Sequence, residues 1–297
     1  MGAKLRVVRR RIRSVQSTMK ITRAMELIAA SRIVKAQQRV HDARPYADQL
    51  TRAMEDVARQ TGSLMHELLE ERERPERAGV LVVTSDRGLA GSYSANVIKR
   101  AEQLAARLRS RGVEPLMYLV GKKGIGYFRF RGIPREAEWS GFSEVPRYEA
   151  AREIGSRLIG DFRERRIDEL HAAYTDFRSA FTFRATDRRF LPIHPEEVGA
   201  EVEHRPHADY VFEPAPAAIL DELLPQYVIT KIWFALLESA ASENASRQRA
   251  MAAATDNAEE LIKVLTRQAN RARQDEITTE IMEIVGGAEA LASSSKE

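Results

Sequence analysis

Three stretches of the chain carry residue types and spacings that could do chemistry. The first is TSDRGLAGSYS (84–94), which follows an apolar, β-branched run and precedes a helical pattern. At such a junction α/β proteins offer backbone N–H groups to a phosphate. The glycines fit neither GxxxxGK[ST] nor GxGxxG. The turn therefore reads first as a strand-to-helix connection that needs two glycines, and second as a weak anion site. The second stretch is VGKKGIGYF (120–128). It lacks the P-loop spacing and the Ser or Thr that follows, so a solvated basic turn is expected. The third is the set His194, His204 and His207 in a Pro-rich segment, 194–218. His-x-x-His beside acids could ligate a metal, but HExxH is absent and no cysteine assists. A surface loop is expected there.

The remaining candidates are weaker. Asp221–Glu222 and Glu259–Glu260 fall on helical patterns, where solvated faces explain them. No GxSxG nucleophile elbow occurs. The absence of cysteine rules out disulfides, thiolate metal sites and a cysteine nucleophile. The residues thus point to no catalytic group, no metal and no cofactor.

The elements that would position these residues have an unusual order. Residues 3–60 are rich in good helix formers and hold one proline, Pro45, expected to kink or restart the helix near residue 44. Leu5, Val8, Ile12, Val15 and Met19 keep a 3-4 spacing, a seam for another helix. The seam then drifts toward Ile21, Met25 and Ile28. Residues 71–78 read as a charged, Pro-broken linker. Short apolar runs at 79–85, 115–121 and 168–175 read as buried strands, with helices near 92–111 and 148–165. Residues 179–186 alternate like a half-buried strand, 188–193 follows, and 208–213 could form an edge strand. Strands alternating with helices imply βαβ units and a mainly parallel sheet.

From Ile219 the chain is helical again, with Pro225 inside it. Ala254, Ala258, Leu261 and Leu265, and later Ile277, Ile281 and Ile284, repeat the 3-4 spacing. At ~1.5 Å per residue, 3–57 spans roughly 80 Å and 220–285 roughly 100 Å. The fold class expected is α/β: a long antiparallel coiled coil of the two ends plus a small Rossmann-like domain with a mainly parallel sheet. The boundaries read as 1–77 for the first coiled-coil helix and linker, 78–213 for the α/β domain, and 214–297 for the second coiled-coil helix. The C-terminal helix outruns the other, so ITTEIMEIVGGAEAL needs another surface.

Charge is distributed unevenly. Residues 1–40 hold eleven Lys or Arg against one acid, Glu26, within a chain of net charge +4. The rest is therefore mildly acidic, and the basic helix calls for an anionic partner. Nucleic acid is one such partner, although no aromatics are present for stacking and the charges surround the helix. Acidic protein surfaces are another. No apolar stretch follows the basic start, so no secretory signal is expected, and no window suits a membrane span.

IRSVQSTMKITRAMELIAASRIVKAQ (12–37) resembles the N-terminal signature of the gamma subunit of F-type ATP synthases. RQANRARQDEITTEIMEIVGGAEAL (267–291) is similar to its C-terminal signature, and TSDRGLAG (84–91) and LLESAASENASRQRAMAAATDNAEELI (236–262) match between them. The dialect resembles actinobacterial-type bacterial members. The resemblance implies a non-catalytic central-stalk rotor subunit. Such a subunit couples rotation of the membrane c-ring to conformational change at the catalytic beta subunits. Its partners would be the alpha and beta subunits of the catalytic ring, the epsilon subunit and the c-ring. It would sit on the cytoplasmic face of the cell membrane as a peripheral part of the complex, without insertion. Contacts with the ring would fall on Lys20, Met25, Arg273, Gln274, Thr278, Glu280 and Glu283. The family often has a cysteine where this chain has Ala90. The alternative reading is a nucleic-acid-binding protein with a basic helix.

Overall fold

A computed structural model describes residues 3–61, 66–179, 182–194 and 216–294. The chain begins as α1 (Ala3–Thr61) and ends as α5 (Pro216–Ser294), helices of 59 and 79 residues. Between them run β1 (Arg77–Val83), α2 (Tyr93–Ser110), β2 (Glu114–Val120), α3 (Lys122–Phe130), β3 (Ala137–Trp139), α4 (Tyr148–Arg163), β4 (Glu169–Phe177) and β5 (Phe183–Leu191). Two compact units result: 1–28 with 248–297, and 29–247.

In the second unit the strands form one sheet, ordered β3-β2-β1-β4-β5. β1 pairs in parallel with β2 and β4, β2 in parallel with β3, and β4 antiparallel with β5. The period-2 side-chain alternation of a strand sorts residues onto two faces. Val80, Val82, Met117 and Leu119 pack with Val97, Ala101, Leu104 and Leu108 of α2 and with Phe128 of α3. Leu81, Val83, Tyr118 and Val120 join Ile154 and Leu158 of α4, Leu50, Met54 and Val57 of α1, and Leu224, Val228 and Ile232 of α5. The apolar runs are buried on both faces, which is why they read as continuous rather than alternating.

Several expectations need correction. α1 runs through Pro45 without a restart. Proline removes one i→i−4 hydrogen bond. Both Pro45 and His41, whose carbonyl is freed, are exposed to water. VGKKGIGYF is a helix, not a solvated turn: Gly121 takes φ 93° at its start, and Phe128 is anchored in the core. Residues 183–186 and 188–191 are not separate segments; one antiparallel strand, β5 (Phe183–Leu191), runs through both. Strand β3 escaped notice because three residues carry no period. The edge strand expected at 208–213 lies outside the described residues.

The first unit is the paired helix ends. Thr22 Oγ1 and Thr255 Oγ1 lie 2.8 Å apart across the pair. Counting away from that bridge in opposite directions sets Met19 opposite Ala258, Val15 opposite Ile262, Ile12 opposite Leu265, Val8 opposite Ala269 and Leu5 opposite Ala272. Burial follows the same register: each of these residues is buried or half-buried. Both helices therefore keep a heptad seam of 3-4 steps. The seam does not drift toward Ile21 and Ile28, which are 60% and 52% exposed, because Thr22 and Glu26 continue it. Leu261 likewise lies outside the seam, which passes through Ile262.

Candidate functional site

The register of the helix pair decides what each expected contact residue can do. Lys20 is exposed at the level of Asn257. Met25 is half-buried on the flank of the seam, so only part of its side chain faces outward. Arg273 and Gln274 are exposed where α1 begins. Thr278, Glu280 and Glu283 are exposed beyond it, on α5 alone. From the level of Lys20 to Arg273 is about 24 Å along the axis. The structure therefore forms two bands, not one cluster. The upper band of α5 also bears Ile277, Ile281, Met282, Ile284 and Val285, between 45% and 72% exposed.

Sequence reasoning missed an outward face on α1. Val7, Ile21, Leu27 and Ile28 are 65%, 60%, 61% and 52% exposed. Val7, Ser14, Ile21 and Ile28 recur every seven residues, a second stripe opposite the seam. That spacing was the available signal. Arg6, Arg10, Arg13 and Lys20 are exposed among them. Arg23 bonds Glu26 at 3.1 Å, which neutralises the one acid of this stretch.

The turn at 84–91 lies at the carboxyl end of β1, where doubly wound sheets hold ligands. Here the chain fills that crevice itself. Thr84 Oγ1 donates to the Val120 carbonyl at 2.8 Å, and the Gly124 N–H donates back to Thr84 Oγ1 at 2.9 Å. The Asp86 carboxylate accepts N–H groups from Gly141 at 2.8 Å and Ser143 at 3.0 Å. From α5, Ser246 Oγ donates to the Ala90 carbonyl at 2.8 Å, and Arg247 Nη2 reaches the Gly88 carbonyl at 3.4 Å. Arg247 pairs with Glu243 at 2.6 Å, both side chains nearly fully buried. Burial pushes the Glu243 carboxyl up, and the Arg247 guanidinium pulls it partly back. The Tyr93 phenol beside them is raised well above its ordinary range by burial and by Glu243. Most of these groups are spent on one another, Glu243 Oε2 alone among them being buried without a hydrogen-bond partner, and the motif acts as a structural joint.

Other sequence candidates behave simply. His194 is half-exposed, its Nδ1 2.9 Å from Arg189 Nη2; His204 and His207 lie outside the described residues. Among the described residues no group of His, Asp and Glu could hold a metal. An Asp221 carboxylate oxygen lies 3.1 Å from Nε2 of the largely buried His66 ring, while Glu222, Glu259 and Glu260 are exposed. Among the described residues no helix is long and apolar enough to cross a membrane.

Comparison with known proteins places this geometry. The family model described as ATP synthase matches residues 4–291. The ATP synthase gamma chain of Thermobifida fusca is 56% identical, over 99% of both chains. That of Acidothermus cellulolyticus is 54% identical over the whole of both. The Mycolicibacterium smegmatis gamma chain is 52% identical, over 99% of this chain and 100% of its own. Among solved structures, a chain of the Euglena gracilis mitochondrial ATP synthase has a TM-score of 0.67 at 14% identity, covering 100% of this chain and 97% of that one. A chain of the Tetrahymena thermophila central stalk and c-ring scores 0.58 at 22% identity, covering 79% of this chain and 99% of that one. These two likenesses bear on the fold, and the close relatives on the family. With a heptad-paired helix pair, a mixed-sheet domain and more than half of its residues identical over nearly the full length, the chain belongs to the gamma-chain family of ATP synthases, alongside its actinobacterial members.

Proposed function

We propose that this chain is the central shaft of a proton-translocating ATP synthase. It carries rotation from the membrane c-ring to the catalytic beta subunits and performs no bond chemistry itself. The observation that carries the reading is the helix pair. Its seam is closed by a heptad register, while its outer face stays basic and studded with exposed apolar residues. The last turns of α5 stand past the start of α1 with an apolar face uncovered.

A shaft works by being asymmetric. Equivalent beta subunits meet different faces of it, and a partner shifts a conformational equilibrium only through differential interaction. In this reading Lys20 and Met25 bear on the acidic lever loops of the beta subunits. Arg273, Gln274, Thr278, Glu280 and Glu283 bear on the ring higher up. The division into 1–77, 78–213 and 214–297 assigns the middle part to a foot beside the epsilon subunit and above the c-ring. That puts the chain at the cytoplasmic face of the cell membrane as a peripheral subunit.

Native mass spectrometry of the purified complex tests the reading. A single copy of the chain is expected with the ring of alpha and beta subunits, and the isolated chain is expected to hydrolyse no ATP. Intrinsic ATPase activity, or failure to bind the ring, counts against it. A salt-dependent complex with nucleic acid at physiological ionic strength would favour the alternative of a nucleic-acid-binding helix.

A further inference from the structure

Four segments meet at one carboxylate. Glu144 follows β3, and its side chain is 14% exposed. Its Oε1 lies 3.4 Å from Arg247 Nη1 of α5. Its Oε2 takes Arg32 of α1 and lies 3.7 Å from Arg87 Nη1 of the turn after β1. One acid thus serves three arginines. The loop bearing it is fixed by Asp86, which accepts the Gly141 and Ser143 N–H groups, and whose own N–H donates to Ser143 Oγ at 2.9 Å. Arg247 is held in turn by Glu243 and by the Gly88 carbonyl.

Within residues 29–247, two kinds of contact join the sheet to the long helices. The apolar cluster of Leu50, Met54, Ile154, Leu224 and Val228 is large but non-directional. Such a surface keeps most of its burial when a helix turns slightly against it. The hydrogen bonds of Arg32 to Glu144, of Arg247 to the Gly88 carbonyl and of Ser246 to the Ala90 carbonyl do not, since their energy depends on distance and angle, and the ion pairs of Arg87 and Arg247 with Glu144 tie these bonds into one cluster. The planar guanidinium fork makes the constraint stricter still. The polar cluster therefore supplies what the apolar one lacks: a fixed angle.

We propose that Glu144 is the positioning residue that seats the α/β domain at one angle on both long helices, so that torque on the domain reaches them without slip. The inference rests on the shaft reading above. Glu144 acts through Arg32, Arg87 and Arg247.

The test uses the whole enzyme in inverted membrane vesicles carrying Glu144→Gln or Arg32→Gln. ATP hydrolysis and ATP-driven proton uptake are measured on the same vesicles, with subunit composition checked by native mass spectrometry. Hydrolysis should persist, while protons moved per ATP should fall on the order of threefold for Glu144→Gln, a modest loss for a networked site. Arg32→Gln, which removes one arm of the network, should fall less. Glu144→Asp, which keeps the charge, should recover part of the ratio. A residue that merely holds the fold would lower the yield and the melting temperature but leave the ratio alone. Parental ratios in both Gln variants overturn the proposal. Should Glu144→Gln not assemble, Arg32→Gln decides, because its side chain is 36% exposed and tolerant of change. If the parent chain itself fails to join the ring, the shaft reading falls; if it joins and the ratios are unchanged, only this inference falls.

Discussion

Replacing Glu238 by glutamine should make the α/β unit more stable at alkaline pH and change little at acid pH. Glu238 sits on α5, half-buried. Burial, and then the nearby charge of Asp176, push its carboxyl up to about 7 from 4.5, although Arg188 and Arg44 oppose the rise. A raised pKa means that the folded state holds the proton more tightly than the unfolded chain. The associated stability is full below 4.5 and is lost as pH climbs through 7. Linkage gives a loss of about 0.8 kcal/mol by pH 5 and about 3 kcal/mol by pH 8. Glutamine keeps the shape and cannot ionise, so the variant should gain up to about 2 kcal/mol on its parent between those two pH values. Equilibrium urea unfolding at pH 5 and pH 8 measures this. Both tryptophans of the chain, Trp139 and Trp233, lie in the same unit and report on it. A parent-minus-variant difference that is the same at both pH values would refute the reasoning.

Other substitutions follow from particular contacts. Gly121→Ala puts a side chain at φ 93° and drives Cβ onto the Thr84 carbonyl; a loss of about 3 kcal/mol or more is expected in the same urea assay. Gly155→Ala brings Cβ within 2.6 Å of Ile229 Cγ1 on α5, an overpacking expected to cost about 1–3 kcal/mol in thermal melts. Thr22→Val breaks the 2.8 Å bond to Thr255 and should cost about 1 kcal/mol, whereas Thr22→Val with Thr255→Val should come back close to the parent; circular dichroism melts of all four chains give the coupling.

Much of this fold was legible because its strongest signals are periodic. Leu5, Val8, Ile12, Val15 and Met19 announced a seam, and the apolar runs at β1, β2 and β4 announced a buried sheet. The seam was lost where it turned polar: Thr22 is 8% exposed, while Ile21 beside it is 60% exposed. Hydrophobicity misassigned both, because the Thr22 hydroxyl is satisfied by a partner 233 residues away. The helix α3 hid for a similar reason: its glycines and lysines suggest a turn, and only Phe128 and Gly124 are buried. The proposed contact residues came from resemblance alone, as positions on two helices. Their division into two bands was not legible, since the register that separates Lys20 from Arg273 is a long-range fact. TSDRGLAG is the strand-to-helix turn it reads as, but its partners were hidden. Nothing local says that Ser246 and Arg247 will fill its crevice.

On the shaft reading proposed above, the exposed apolar residues of α1 let one helix meet several surfaces in turn. Burying one side chain such as Ile21 or Ile28 against a partner yields about 1.5–3 kcal/mol at most. On α1 the spacing of seven residues between Ile21 and Ile28, about 10 Å, interrupts the apolar stripe, so the two make separate contacts. The basic residues between them add exposed ion pairs worth about 1 kcal/mol or less each. A rotary position stabilised by a few such contacts differs from the next by a few kcal/mol. On that reading, this is enough to bias which subunit of the surrounding ring is open, and small enough to be overcome as the shaft turns. A strictly polar face would give too little bias, and a continuous apolar one would hold the shaft in place.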